Sequence, residues 1–237
     1  MLEALLWGGI ASGSLLVGAL LSVLRSWSDR TVGLVLAFGA GALIASVSFE
    51  LAEAGLDEGG PVGVGIGLAL GAVAYFAADR AIERWSGRRG GGAAGFPLAL
   101  GALLDGIPEQ AVLGIGLAGG AGVSLALLVS IFVSNLPESI GASADMLRDG
   151  RSKRFVLLLW VGVAVVCTLA AVAGRLLADT APPWMVGTID GIAAGALLVM
   201  LIDAMIPEAR EKAKDTAGLA TVVGFAVAAG LSLLGEG

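Results

Sequence analysis

Residues 155–177 read FVLLLWVGVAVVCTLAAVAGRLL, 23 positions with one charge, Arg175, preceded at once by Arg151, Lys153 and Arg154. At 1.5 Å per residue this run reaches roughly 34 Å, enough for the ~30 Å hydrocarbon core of a bilayer. No soluble strand or core helix needs such a length without charge. Comparable runs lie on both sides, at Ala4–Leu24, Val32–Ala54, Pro61–Ala78 and Phe96–Leu117, then Val123–Leu147, Trp184–Pro207 and Ala217–Leu234. The turn Gly119-Gly120-Ala121-Gly122 separates the fourth run from the fifth. The expectation is an all-α integral membrane protein of eight spans, forming one domain over residues 1–237.

Composition agrees. Of the 237 residues 57% are apolar and 14% charged, a balance that suits lipid better than water as the surrounding solvent. The 38 glycines would weaken soluble helices but let membrane helices approach closely. Met1–Leu6 lacks the basic start of a cleavable signal peptide, so the first run is expected to be a retained helix. Cys167 is the single cysteine and there is no histidine, which excludes an intrachain disulfide and a Cys/His metal cluster.

Charge distribution orients the spans. Arg25 and Arg30 follow run 1, Arg80, Arg84, Arg88 and Arg89 follow run 3, Arg148, Arg151, Lys153 and Arg154 follow run 5, and Arg210, Lys212 and Lys214 follow run 7. Thirteen of 14 basic residues thus share one side, Arg175 being the exception. Basic loops stay in the cytoplasm, so both termini, with Glu3 and Glu236, are expected outside, alongside Asp57, Glu58 and Asp179. The stretch Ile82–Gly95 reads as a mobile cytoplasmic linker. The basic loops suit anionic headgroups or fix topology alone; nothing in them points to nucleic acid. Ala40-Gly41-Ala42-Leu43 before Glu53, and Ala194-Gly195-Ala196-Leu197 before Glu208, form an echo between runs 2 and 7. These runs cross in opposite directions, as an inverted repeat of spans 1–3 and 6–8 around a central pair would require; convergence on a packing motif would give the same echo.

The informative residues are those a span should not contain, because each ionisable group costs about 2.5–3.5 kcal/mol to insert. Run 4 holds Leu104-Asp105-Gly106-Ile107-Pro108-Glu109-Gln110, with Asp105 and Glu109 one turn apart. Run 5 holds Ser134-Asn135-Leu136-Pro137-Glu138-Ser139, with Ser130, Ser134 and Glu138 at four-residue spacing. Each proline precedes a glutamate and frees a carbonyl, that of Leu104 or Val133, which then needs a partner. Two such helices side by side would gather carboxylate, amide, hydroxyl and carbonyl oxygens in a pocket suited to a divalent cation; the bland alternative is protonated acids bonded to serines or backbone. Glu50 and Glu53 near one end of run 2, and Asp203 and Glu208 near one end of run 7, read either as entrance and exit or as hydrated interface charges. Asp190 reads the same way, whereas Asp79, Glu83 and Asp145 beside arginines read as surface charges.

With these motifs the chain resembles the ZIP family of zinc and iron permeases, whose fourth and fifth helices carry His-Asn-x-Pro-Glu-Gly and His/Gln-x-x-Pro-Glu. The resemblance implies a 3+2+3 arrangement of eight helices and a secondary transporter moving divalent metal, zinc or else iron or manganese, into the cytoplasm across the cell membrane. It implies metal ligands at Asp105, Glu109, Ser134, Asn135 and Glu138, a homodimer, and no enzymatic activity. Departures are Asp105 for the first histidine, Gly106 for asparagine and Gln110 for glycine, while run 6 offers only Cys167 and Thr168 near mid-span, which argues against a second metal site. The all-oxygen donor set favours manganese, iron(II) or magnesium, against the zinc the family suggests. Two other functions compete: a ZIP-like sensor or scaffold that does not transport, and an intramembrane hydrolase using the carboxylates as acid and base.

Overall fold

The computed structural model describes residues 1–87, 95–118 and 123–235, apart from the side chains of Glu50, Glu83, Asp105, residues 85–87 and 95–100, and residues 234–235. Arg88, Arg89, Glu236 and the turn at 119–122 therefore lie outside the described residues. The described chain is helical: α1 (Leu2–Leu24), α2 (Asp29–Ser46), α3 (Glu53–Gly87), α4 (Gly95–Gly116), α5 (Leu125–Arg148), α6 (Lys153–Thr180), α7 (Pro183–Met200), α8 (Ile206–Ala213) and α9 (Ala217–Gly235). Two π-helical segments continue α2 and α7, at Val47–Ala52 and Leu201–Met205. Each begins seven residues after the start of its Ala-Gly-Ala-Leu sequence.

Helix starts follow from local chemistry. The hydroxyls of Ser28, Ser124 and Ser152 accept hydrogen bonds from the amides of Thr31, Leu127 and Phe155, satisfying donors that the first helical turn leaves open. Pro183 occupies the first turn of α7, where its missing N–H is not needed. Gly60, at φ 70° and ψ 170°, interrupts α3 just before Pro61, so the second and third apolar runs meet at a break rather than across a loop. At the other end α3 runs on to Gly87, which converts the first part of the expected linker, Ile82–Gly87, into helix. Both Pro108 and Pro137 lie inside continuous helices.

Six helical stretches among the described residues are long and apolar enough to cross a membrane: Leu2–Leu24, Asp29–Phe49, Glu53–Ile82, Leu125–Arg148, Lys153–Thr180 and Pro183–Leu233. Their outward faces are apolar, as Val62, Ile66, Leu70 and Val73 on α3 and Leu158, Val161, Val165 and Leu169 on α6 illustrate. Val62 is 73% exposed. A helical bundle with such an exterior fits an all-α membrane protein.

Inside, α3 packs on α7, α2 on α9, α4 on α6 and α1 on α5, while α1 also meets α6 and α2 meets α8. Exchanging α1 with α6, α2 with α7–α8, α3 with α9 and α4 with α5 leaves this set of neighbours unchanged. Backbones touch at the first two interfaces: a Cβ on Gly41 would collide with the Thr221 carbonyl, and one on Gly195 with the Leu68 carbonyl. The glycines of the two Ala-Gly-Ala-Leu sequences thus do the same work on α2·α9 and on α7·α3. Side chains of Leu36, Leu43, Ile131, Leu197 and Leu201 fill the centre; a second cluster around Leu15, Met146 and Trp160 joins α1, α5 and α6.

Gly41→Val is expected to destabilise the fold by about 1–3 kcal/mol or more through overpacking against α9. Gly13→Ala, where a Cβ meets nothing within 4 Å, should be neutral or stabilising by up to ~1 kcal/mol. Thermal unfolding in detergent compares the two.

Candidate metal-binding cavity

Helices α4 and α5 bring the two Pro-Glu glutamates to one space. A cavity of about 190 Å³ is lined by Glu109 from α4, by Ser134 and Glu138 from α5, and by Glu208 from α8, with Asp145 at the end of α5. Met200, Ala204 and Met205 close its side from α7 and the second π-helical segment. Glu109 is buried, with 1% exposure, and Glu138 is half-buried. The carboxylates of Glu109 and Glu138 on one cavity favour a counter-cation, because charge in low dielectric is costly unless it is neutralised.

The other expected ligands fare differently. Asn135 is buried and its Nδ2 has no hydrogen-bond partner among the described residues, but the cavity lining does not include it. The side chain of Asp105 lies outside the described residues. Ser134 donates to the Ile131 carbonyl at 3.1 Å, which leaves its oxygen lone pairs available. Ser130, expected on the same stripe, instead faces α2, where it shares a hydrogen bond of 2.8 Å with Ser46 and contacts the Ala42 carbonyl. Among the described residues no group of three or more His, Cys, Asp or Glu side chains is close enough to hold a metal ion.

The departures from the Pro-Glu pattern have structural counterparts. A Cβ on Gly106 would stand 2.7 Å from the sulfur of Cys167, so the α6 thiol occupies the space that a larger residue at 106 would need. Gln110 is fully buried, with its Oε1 beside Gly8 of α1, and neither of its amide atoms has a hydrogen-bond partner among the described residues. Thr168 and Ser12 meet nearby across α6 and α1, Oγ to Oγ at 3.4 Å, while Thr168 donates at 2.8 Å to the Ala164 carbonyl.

Of the peripheral acids, Glu208 reaches the cavity. Asp203 does not: it is exposed and borders an apolar groove between α3 and α7, with Val73 and Phe76. Glu53 is exposed, Asp190 is buried against Gly55, and the side chain of Glu50 lies outside the described residues. Arg175 forms an ion pair with Asp179 at 3.1 Å, which gives the exceptional cation a partner four residues away. Asp145 pairs with Arg148 at 3.1 Å as a surface charge would, yet it also lines the cavity. Its neighbour in sequence, Arg148, hid that second role.

No family model matches the chain, and no curated protein matches it in sequence.

Replacing Gln110 with leucine removes a buried amide whose two polar atoms lack partners. Each such group costs roughly 1–3 kcal/mol, so Gln110→Leu is expected to raise the unfolding temperature by a few degrees in metal-free detergent solution. A lower temperature would mean that water or another ligand satisfies the amide.

Proposed function

We propose that this chain is a ZIP-like secondary transporter carrying a divalent metal cation into the cytoplasm, with Glu109 and Glu138 as the central ligands. The observation that carries the reading is their shared cavity, which continues to Glu208 and Asp145. Glu109 and Glu138 lie within otherwise apolar runs, where an uncompensated charge is expensive and an intramembrane acid is a functional site by default. Ser134 adds a hydroxyl, and Asp105 and Asn135 belong to the same proposed donor set. Oxygen donors suit manganese and iron(II) and accept zinc; the metal is cargo, and the reading requires no cofactor and no catalysis.

The proposal takes eight crossings in a 3+2+3 order, with both termini outside the cytoplasm of a cell-membrane protein. Residues 183–233 count as two: 51 residues of straight helix would measure roughly 76 Å, more than twice the hydrocarbon thickness. Their helix breaks at Lys214, φ 52°. Helix α4, 22 residues long, is the eighth. An inverted repeat of the first three and last three spans is supported by the exchangeable neighbour set, the paired π-helical segments and the matched glycine contacts. Transport would follow from movement of one block against the other around α4 and α5. The proposal includes a homodimer, on the family resemblance alone.

The lack of a cluster of three or more metal-binding side chains among the described residues favours a second reading, a ZIP-like protein that senses or scaffolds without transporting. Uptake into proteoliposomes separates the two. Zinc, manganese, iron(II) and magnesium would be compared for the intact protein and for Glu109→Ala with Glu138→Ala. The transporter reading expects saturable uptake that falls to the level of empty liposomes in the double variant; equal uptake by both proteins, or none of any metal, would overturn it.

A further inference from the structure

At the basic end of the bundle the cavity meets two other recesses. One, of about 750 Å³, is bordered by Asp29, Asp145, Glu211 and Lys212; the other, of about 310 Å³, by Trp27, Gly141, Asp145 and Lys212. Asp145 borders all three spaces. Glu208 belongs to the inner cavity and Lys212 to the two outer recesses. The Lys212 Nζ donates to Glu208 Oε1 at 2.6 Å, so this ion pair joins a residue of the cavity to a residue of the recesses.

We propose that Lys212 is a latch on the inner mouth, a tethered cation that holds Glu208 and is displaced when the mouth opens. The proposal rests on the transport reading for its purpose, because the passing ion would compete with the ammonium for the same carboxylate. Glu208 and Lys212 stand one turn apart on α8, so the latch is a side chain folded over the mouth rather than a bond between helices. Lys212 is 22% and Glu208 43% exposed, against 67% and 57% for the neighbouring Arg148 and Asp145, so water screens this pair less than that one. Its backbone is seated on α2, where a Cβ on Gly33 would come within 2.6 Å of the Lys212 Cβ. Its ammonium lies over α5, 3.4 Å from the position a Cβ on Gly141 would take, with Glu208 Oε1 at 3.6 Å from that position. Two glycines on two helices thus make room for one lysine, which α8 carries into the gap between α2 and α5. A cation at this point also repels a divalent ion in the cavity, which a neutral side chain of similar length would not.

The test reads the mouth directly and needs no metal. Ala142, half-buried in the cavity lining, is replaced by cysteine in a Cys167→Ala background, and its labelling by a membrane-impermeant maleimide is timed on protein in detergent. Lys212→Met is expected to accelerate labelling roughly fivefold, as removal of a partly exposed ion pair allows. Glu208→Gln should do the same by freeing the lysine, and Lys212→Arg should keep the parental rate. Parental labelling in both Lys212→Met and Glu208→Gln, with unchanged unfolding temperatures, would overturn the latch. Metal uptake measured on the same variants keeps the two ideas apart: faster labelling with no uptake by any variant retains the latch and discards transport, whereas parental labelling with uptake intact discards the latch alone.

Discussion

Contact between helix backbones is the constraint on which the rest depends. Lipid offers helices little hydrophobic reason to associate, so membrane bundles gain from close packing at small residues. Here the carbonyls of Thr221 and Leu68 sit where side chains at Gly41 and Gly195 would be, drawing α9 onto α2 and α3 onto α7. With these four helices joined in two pairs, α4 packs on α6 and α5 on α1 and α2, and their glutamates come to one cavity. Only a tightly held scaffold can keep a fully buried glutamate in an apolar bundle, because a looser one would let the carboxylate escape toward water or headgroups.

Much of the fold was legible from runs of apolar residues, since length and absence of charge are one-dimensional properties. Boundaries were less so. The break at Gly60 and the extension of α3 to Gly87 depend on φ and on helix continuation past the apolar run, neither of which hydropathy reports. The central pair of glutamates was legible because Pro-Glu recurs in two adjacent spans. Ser130 was misjudged for a geometric reason: four residues are about 40° more than a full helical turn, so by Glu138 the stripe has drifted by about 80°. That drift turns Ser130 to α2 while Ser134 and Glu138 stay on the cavity. The contribution of Glu208 came from a helix distant in sequence, and for Asp145, on α5 itself, the arginine beside it made the bland reading natural.

Gly106 and Gln110 flank Glu109 on α4 with opposite demands on the packing around them. At Gly106 the space a side chain would need is taken by the Cys167 sulfur, a soft and apolar filler. Gln110, four residues on along α4, places its buried amide near the α1–α6 seam, where Thr168 and Ser12 meet.

The two π-helical segments carry a further consequence. A π turn winds more slowly than an α turn, so over the five residues Leu201–Met205 the helix falls behind ordinary winding by roughly a quarter of a turn. The direction in which Glu208 points is therefore set by that slack in the winding as much as by the helix that carries it. Relaxing Leu201–Met205 to α-helix would swing the glutamate along the circumference without moving α7 itself, and the segment at Val47–Ala52 holds the same rotational reserve in the helix that bears Glu53.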